Sequence, residues 1–289
     1  MFGAADGEMK NEFLCLFVDM AMLSFSPWAL ARPLIVAHRG AADLTMPEAS
    51  LPAYSNAVAG ASDIVKLDLQ RTKDGVIVMG HDPSLKRVMG WDAKIEDLTY
   101  AEILEKGRFL PAGGFTDERI VRLDQALVVV RSVPAFWIDF KHFDPVFVEA
   151  VLAEFKKAGI DEQRLMVATF NIAALAYFQQ HHPGIFRIGH ISFSRRQGRV
   201  WKCSCGGGKT FATKAEVMES ICAYCDRYGL YGVNMPVLED QTTAADVRRL
   251  KERGLWVSLW FVQTKKKAER CGKLCADAYV SDHSSQILY

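Results

Sequence analysis

The 289-residue chain lacks a surplus of either charge: 35 Lys and Arg stand against 34 Asp and Glu, a formal net of +1. A balance this close supplies no broad positive field, which argues against nucleic acid or another polyanion as partner. No unit of about 20–50 residues repeats and no low-complexity tract occurs, which excludes solenoids, propellers and long flexible linkers. The most apolar stretch near the N-terminus is short and is broken by Asp19 and Pro27, which argues against stable membrane insertion. What the chain has is apolar mass: 50% of its residues are hydrophobic, enough for a large globular core.

The first 31 residues read as a separate segment. With translation starting at Met9, Lys10 is a basic start, Phe13 to Phe25 a mostly apolar run, and Ala29-Leu30-Ala31 a small-residue cleavage site before Arg32. This layout predicts a signal peptide over 1–31 and export to the periplasm or beyond, with an N-terminal amphipathic helix as the other reading. Six cysteines follow the leader: Cys203, Cys205, Cys222, Cys225, Cys271 and Cys275. An even number in an exported protein permits disulfides. Cys-x-Cys followed by Cys-x-x-Cys also suits a four-thiolate zinc site, and Cys222 and Cys225 fall in a helix-like stretch, 215–228, where buried free thiols are common.

From Arg32 onward, short apolar runs alternate with amphipathic stretches, the pattern of a parallel α/β protein. The expected strands are 34–37, 64–69, 136–140, 165–169, 186–191, 232–235, 256–261 and 278–280, which is the number a barrel needs. Between them, Asp144-Pro145 opens a helix whose Phe147, Val151 and Phe155 share one face, and Thr99 with Glu102 forms a capping-box pattern. The segment 82–118 is too long for an ordinary connection and is expected to be an insertion over the barrel's top, placed to gate the site. The expected architecture is a single (β/α)8 TIM barrel over 32–289.

Polar residues at the C-terminal ends of barrel strands are costly unless paired or used, and in such barrels that rim carries the active site. The first strand ends in His38-Arg39-Gly40, with Glu48 a short loop later. The second contains Lys66 and Asp68, and a short extended run, 76–79, leads to His81-Asp82. The next strand ends Asp139-Phe140-Lys141. Two imidazoles can exchange protons with attacking and leaving oxygens near neutral pH. Arg39, through its planar fork, and Lys141, as a point charge, can hold phosphate oxygens. Together these residues point to phosphoryl chemistry.

At these residues the sequence resembles the glycerophosphodiester phosphodiesterases. The likeness rests on Val36-Ala37-His38-Arg39-Gly40, Pro47-Glu48, Leu67-Asp68, Thr72-Lys73-Asp74-Gly75 and His81-Asp82, and continues more weakly to Trp260 and Ser281-Asp282. It implies a TIM barrel that cleaves glycerophosphodiesters to glycerol 3-phosphate and an alcohol. It further implies His38 and His81 as the acid–base pair, Arg39 and Lys141 on phosphate, and Mg²⁺ or Ca²⁺ on three carboxylates.

The chain departs from that pattern at the metal positions. Lys66 stands two residues before Asp68, where the family pattern has a glutamate, and Asp139 is one methylene shorter than the usual ligand. An ammonium cannot ligate a divalent cation. Lys66 with two aspartates carries the same total charge as three carboxylates with a divalent ion. Each Lys–carboxylate pair at about 4 Å gains on the order of 4 kcal/mol at an effective dielectric of about 20, before desolvation. Three readings follow. In the first, no metal is bound, Lys66 is the internal cation in its place, and a substrate hydroxyl attacks to give a cyclic phosphate. In the second, Glu48, Asp68 and Asp139 hold a divalent cation and Lys66 swings toward the phosphate-binding cations. In the third, the chain is an inactive phosphodiester-binding or sugar-phosphate-binding protein. Trp260 is expected to line the pocket, Trp256 to pack in the core and Lys265 to Lys267 to start a solvated helix; His142, His181 and His182 read as structural or exposed. Asp282 either orients a catalytic group or caps a helix.

Overall fold

The computed structural model describes residues 32–42, 46–110, 114, 116–196, 200–237, 242–284 and 287. The leader-like segment 1–31 lies outside them. The chain divides into two compact units, Ile35–Met166 with the segment from Ser281, and Val167–Val280.

In the first unit, β1 (Leu34–Ala37) precedes α1 (Leu51–Ala59), which Ser50 caps by accepting from the Ala53 backbone N–H. The strand β2 (Ile64–Arg71) runs parallel to β1 and folds back on β3 (Ile77–Met79) as a hairpin. Two helices of the expected insertion follow, α2 (Lys86–Met89) and α3 (Tyr100–Lys106). The Thr99–Glu102 capping box forms as the spacing predicts. The insertion is more than a loop. Leu85, Met89, Ile95, Ile103, Phe109 and Ile120 bury a small core of their own against Val78 of β3.

After α4 (Leu123–Val130), β4 (Ala135–Phe140) pairs parallel to β2 over six residues, with Asp68 beside Asp139 and Lys66 beside Trp137. Both strands are buried almost throughout, as parallel strands covered on both faces must be. Asp144 then caps α5 (Pro145–Lys157), whose Phe147, Val151 and Phe155 face inward at four-residue spacing. Phe155 meets Phe136 edge-on at 5.5 Å between ring centres, and Phe147 meets Phe140 at 5.8 Å.

The second unit carries β5 (Leu165–Thr169), α6 (Ile172–His181) and β6 (Phe186–His190), then a three-stranded antiparallel sheet, β7 (Phe193–Arg196), β8 (Val200–Cys203) and β9 (Thr210–Phe211). That small sheet is absent from the sequence reading. Its strands are only two to four residues long, with Arg and Lys among them, so no apolar run announces them. Beyond it come α7 (Lys214–Tyr228), β10 (Gly232–Pro236), α8 (Ala244–Glu252), β11 (Trp256–Trp260), α9 (Lys265–Lys273) and β12 (Ala278–Ser281). β6, β10 and β11 pair parallel in that order, and β12 follows β11. All eight expected barrel strands form, each end within two residues of its expected place. Among the described residues, no helix is long and apolar enough to cross a membrane.

The inward face of α5 sets a stability test. Truncating the fully buried Phe155 to Ala removes its contact with Phe136 and is expected to cost about 3–5 kcal/mol. Val146→Ala, on the exposed side of the same helix, is expected to stay within about 0.5 kcal/mol of the parent in urea unfolding.

Candidate active site

The site grows from the turn after β1. His38 donates its backbone N–H to the Ser281 carbonyl at 2.9 Å, which brings the residue after Ser281 alongside it. Asp282 Oδ1 then lies 2.5 Å from His38 Nδ1. Arg39 and Gly40 follow with φ of 55° and 73°, two successive residues in the left-handed region. Only glycine fits the second position, because a Cβ there would meet the Ala53 carbonyl carbon at 2.8 Å. The doubled-back chain is held where the Ala49 N–H donates to the Arg39 carbonyl at 2.8 Å, placing Glu48 against the Arg39 guanidinium.

Strand alternation supplies the second group. Lys66, Asp68 and Gln70 alternate with Val65, Leu67 and Leu69 along β2, so the three polar residues share a face. The register with β4 sets Asp139 beside Asp68. The ammonium of Lys66 bridges the two, bonded to Asp68 Oδ1 and 2.9 Å from Asp139 Oδ2. Lys141 closes the square from the other side, 2.6 Å from Asp68 Oδ1 and 2.7 Å from Asp139 Oδ2. Burial opposes ionisation of Asp68, but Lys141 and Lys66 outweigh it and hold its carboxyl well below the usual range. Burial likewise works against the Lys141 ammonium, and the two aspartates more than offset it, raising its pKa.

The third group comes from the β2–β3 hairpin and the insertion. His81 Nδ1 lies 2.6 Å from Asp82 Oδ1, and buried Gln70 fixes the backbone there by donating to the Asp82 carbonyl. Arg87, on α2, binds Glu48 with two parallel bonds of 2.7 Å and reaches Asp82 through Nε. Arg39 binds both oxygens of Glu48 at 2.9 Å, so this carboxylate sits between two guanidiniums. Burial raises the Glu48 pKa, and Arg87 and Arg39 pull it below the ordinary value.

The two imidazoles converge. Their ring centres are 6.5 Å apart, at 77° to each other, and each ring has its Nδ1 on a carboxylate. In each ring Nε2 lies on the side away from that carboxylate. Burial lowers the pKa of His38 from 6.5 to about 4 against the pull of Asp282, and burial with the nearby Lys141 lowers that of His81. Arg39 Nε is buried with no hydrogen-bond partner among the described residues, 4.0 Å from Asp68 Oδ2.

The structure therefore gathers His38, Arg39, Glu48, Lys66, Asp68, His81, Asp139 and Lys141 into one unit. Trp260 belongs to the other unit, where its Nε1 donates to the Asn234 carbonyl at 3.2 Å and its ring meets Phe261. Trp256 is buried there as expected. Arg87 was missed by the sequence reading, since an arginine in a stretch without periodicity gives no local sign of its partners. The reading in which Asp282 orients a histidine has its contact in the structure.

A divalent cation does not fit this donor set. Asp68 and Asp139 are each bridged by two ammoniums, and both Glu48 oxygens are bound by two arginines. An ion on them would stand against Lys66 and Lys141 in place of further oxygen ligands. Among the described residues, no three His, Cys, Asp or Glu form a group able to hold a metal ion.

Comparison with known proteins places this geometry. The model of the glycerophosphoryl diester phosphodiesterase family matches residues 38–286. A glycerophosphodiester phosphodiesterase of Bacillus subtilis is 38% identical over 140 residues, 43% of this chain and 45% of the relative; the chain thus spans about half of that protein's length. Two solved structures share the fold. One, from Agrobacterium tumefaciens and provisionally named a glycerophosphoryl diester phosphodiesterase, has a TM-score of 0.73 at 17% identity, covering 89% of this chain and 96% of that one. The other, an Oleispira antarctica phosphodiesterase in complex with the product sn-glycerol-3-phosphate, has a TM-score of 0.68 at 19% identity, covering 90% and 97%. The fold is accordingly a TIM barrel of eight parallel strands with a small antiparallel sheet added.

His38 sets a pH test of stability. In the unfolded chain its imidazole takes a proton as pH falls through about 6.5, whereas the folded protein resists until about 4, so folding stability drains away across that window. Denaturant unfolding of H38N is expected to lose less stability than the parent between about pH 7 and pH 4.5; equal losses contradict the assignment.

Proposed function

Because the chain belongs to the glycerophosphoryl diester phosphodiesterase family, we propose that it hydrolyses glycerophosphodiesters to glycerol 3-phosphate and an alcohol, with His38 and His81 moving the protons and Lys66 in place of a metal. The observation that carries this reading is the facing pair of imidazoles, 6.5 Å between centres, beside a lysine-bridged pair of aspartates.

His38 is the base. It is neutral at physiological pH, its Nδ1–H is committed to Asp282, and its Nε2 lone pair accepts the proton of the attacking hydroxyl. His81 is the acid: burial and Lys141 hold its pKa below the usual value, so the protonated fraction, hydrogen-bonded to Asp82, delivers a proton to the leaving alkoxide. Arg39 Nε donates to a non-bridging oxygen, and the ammoniums of Lys66 and Lys141 stabilise charge that builds on phosphorus in the transition state. A lysine cannot generate hydroxide from water near neutrality as a metal can. The nucleophile is accordingly a hydroxyl of the glycerol moiety: its oxygen bonds to phosphorus, the ester bond to the alcohol breaks, and water then opens the cyclic phosphate.

Glycerophosphocholine turnover with and without EDTA tests this. Turnover unchanged by chelator is expected; turnover abolished by chelator refutes the metal-free route, and none under any condition refutes the activity. H38A and H81A should each lose at least about 100-fold in kcat, and Lys66→Glu should gain a dependence on divalent cations.

The same proposal includes export, supported by the layout of Lys10, the apolar run 13–25 and Ala29-Leu30-Ala31. N-terminal sequencing of the protein from a periplasmic or culture fraction is expected to begin at Arg32; a mature chain that retains Phe13 to Phe25 refutes it.

A further inference from the structure

We propose that Cys203 and Cys205 form a redox-active dithiol that small disulfides of the glutathione class oxidise to an intramolecular disulfide. The pair stands in the added antiparallel sheet, outside the residues given a part in hydrolysis. Cys203 ends β8 and Cys205 lies in the single 3-10 turn Ser204–Gly206. Two bonds tie that turn to the chain before β7: the Ser204 N–H donates to the Ser192 carbonyl at 2.8 Å, and the Ser192 N–H to the Ser204 hydroxyl at 3.0 Å. Held this way, the two sulfurs lie 2.8 Å apart. A disulfide needs about 2.05 Å, so the bond can close with under about 1 Å of sulfur movement.

The two thiols differ in a way that orders the reaction. Cys203 is buried, while Cys205 is partly open to solvent. The hydrogen bond with Cys203 pulls the Cys205 thiol pKa down, with Ser220 Oγ 3.8 Å away as a weaker partner. An accessible thiol with lowered pKa is the one that attacks. Cys222 and Cys271 are the reverse case, buried and pushed up by that burial, Cys271 to about 12.

In the first step, the Cys205 thiolate attacks one sulfur of the external disulfide. A Cys205 mixed disulfide forms and one small thiolate leaves, taking the proton that Cys205 released. In the second, Cys203 gives up its proton and attacks Cys205 Sγ, expelling the second small thiol. Two electrons and two protons pass from the protein dithiol to the external disulfide, yielding two small thiols.

The test incubates the full, reduced chain with excess oxidised glutathione, quenches with acid, alkylates and maps peptides by mass spectrometry. Expected is a loss of two hydrogens on the peptide holding both cysteines, while Cys222 and Cys271 remain alkylated. C203S should trap a stable glutathione adduct on Cys205, and C205S should leave Cys203 unmodified. An unchanged dithiol in the parent overturns the proposal. So does a C203S protein with no adduct on Cys205, or zinc released on thiol titration of the untreated protein. None of these readouts uses hydrolysis, so the proposal stands or falls apart from the phosphodiesterase reading.

Discussion

Two aspartates side by side on neighbouring parallel strands, almost wholly shut off from water, set the problem that the rest of this site solves. Their repulsion and desolvation together would drive protons onto them. Two lysines, Lys66 within β2 and Lys141 just past the end of β4, remove that pressure by bridging both carboxylates. Each ion depends on the others, because a buried charge left without its partner costs about 3–5 kcal/mol. In the family pattern a metal discharges this task. Here an ammonium anchored to β2 lies between the two carboxylates.

The second layer of order is electrostatic as well. Arg39, Glu48, Arg87, Asp82 and His81 form a continuous chain of ion pairs and hydrogen bonds from the turn after β1 to the histidine after β3. Arg87 rides on α2, whose place is fixed by the insertion's own small core, with Leu85 and Met89 at its two ends. The insertion thus reaches the site through a residue that steadies His81 by way of Asp82. A pocket lined by Glu48, His81, Leu85 and Phe109 runs along this contact.

Much of this was legible in the sequence, for identifiable reasons. Most of the strands carry apolar runs, and Lys66 and Asp68, two residues apart in one strand, fall on one face by strand alternation. Asp144-Pro145 and Thr99–Glu102 state where helices begin. The antiparallel strands β7 to β9 escaped because strands this short carry no period. Arg87 escaped because its partners, Glu48 and Asp82, are neighbours only after folding. Asp282 was visible but ambiguous, as an aspartate after a strand suits a cap and an imidazole equally well. Lys141 illustrates the remaining limit: composition marked it for phosphate, and the structure ties it to Asp68 and Asp139 as well.

Family membership and fold point to one chemistry, and Lys66 stands where the family pattern has a glutamate. The central claim is that an ammonium, and no divalent ion, lies between Asp68 and Asp139. A crystal structure of the protein grown in manganese, with anomalous scattering recorded, tests it most directly. The account predicts continuous density from Lys66 to the two carboxylates and no anomalous peak there; a peak coordinated by Asp68 and Asp139, with Lys66 swung away, would contradict it.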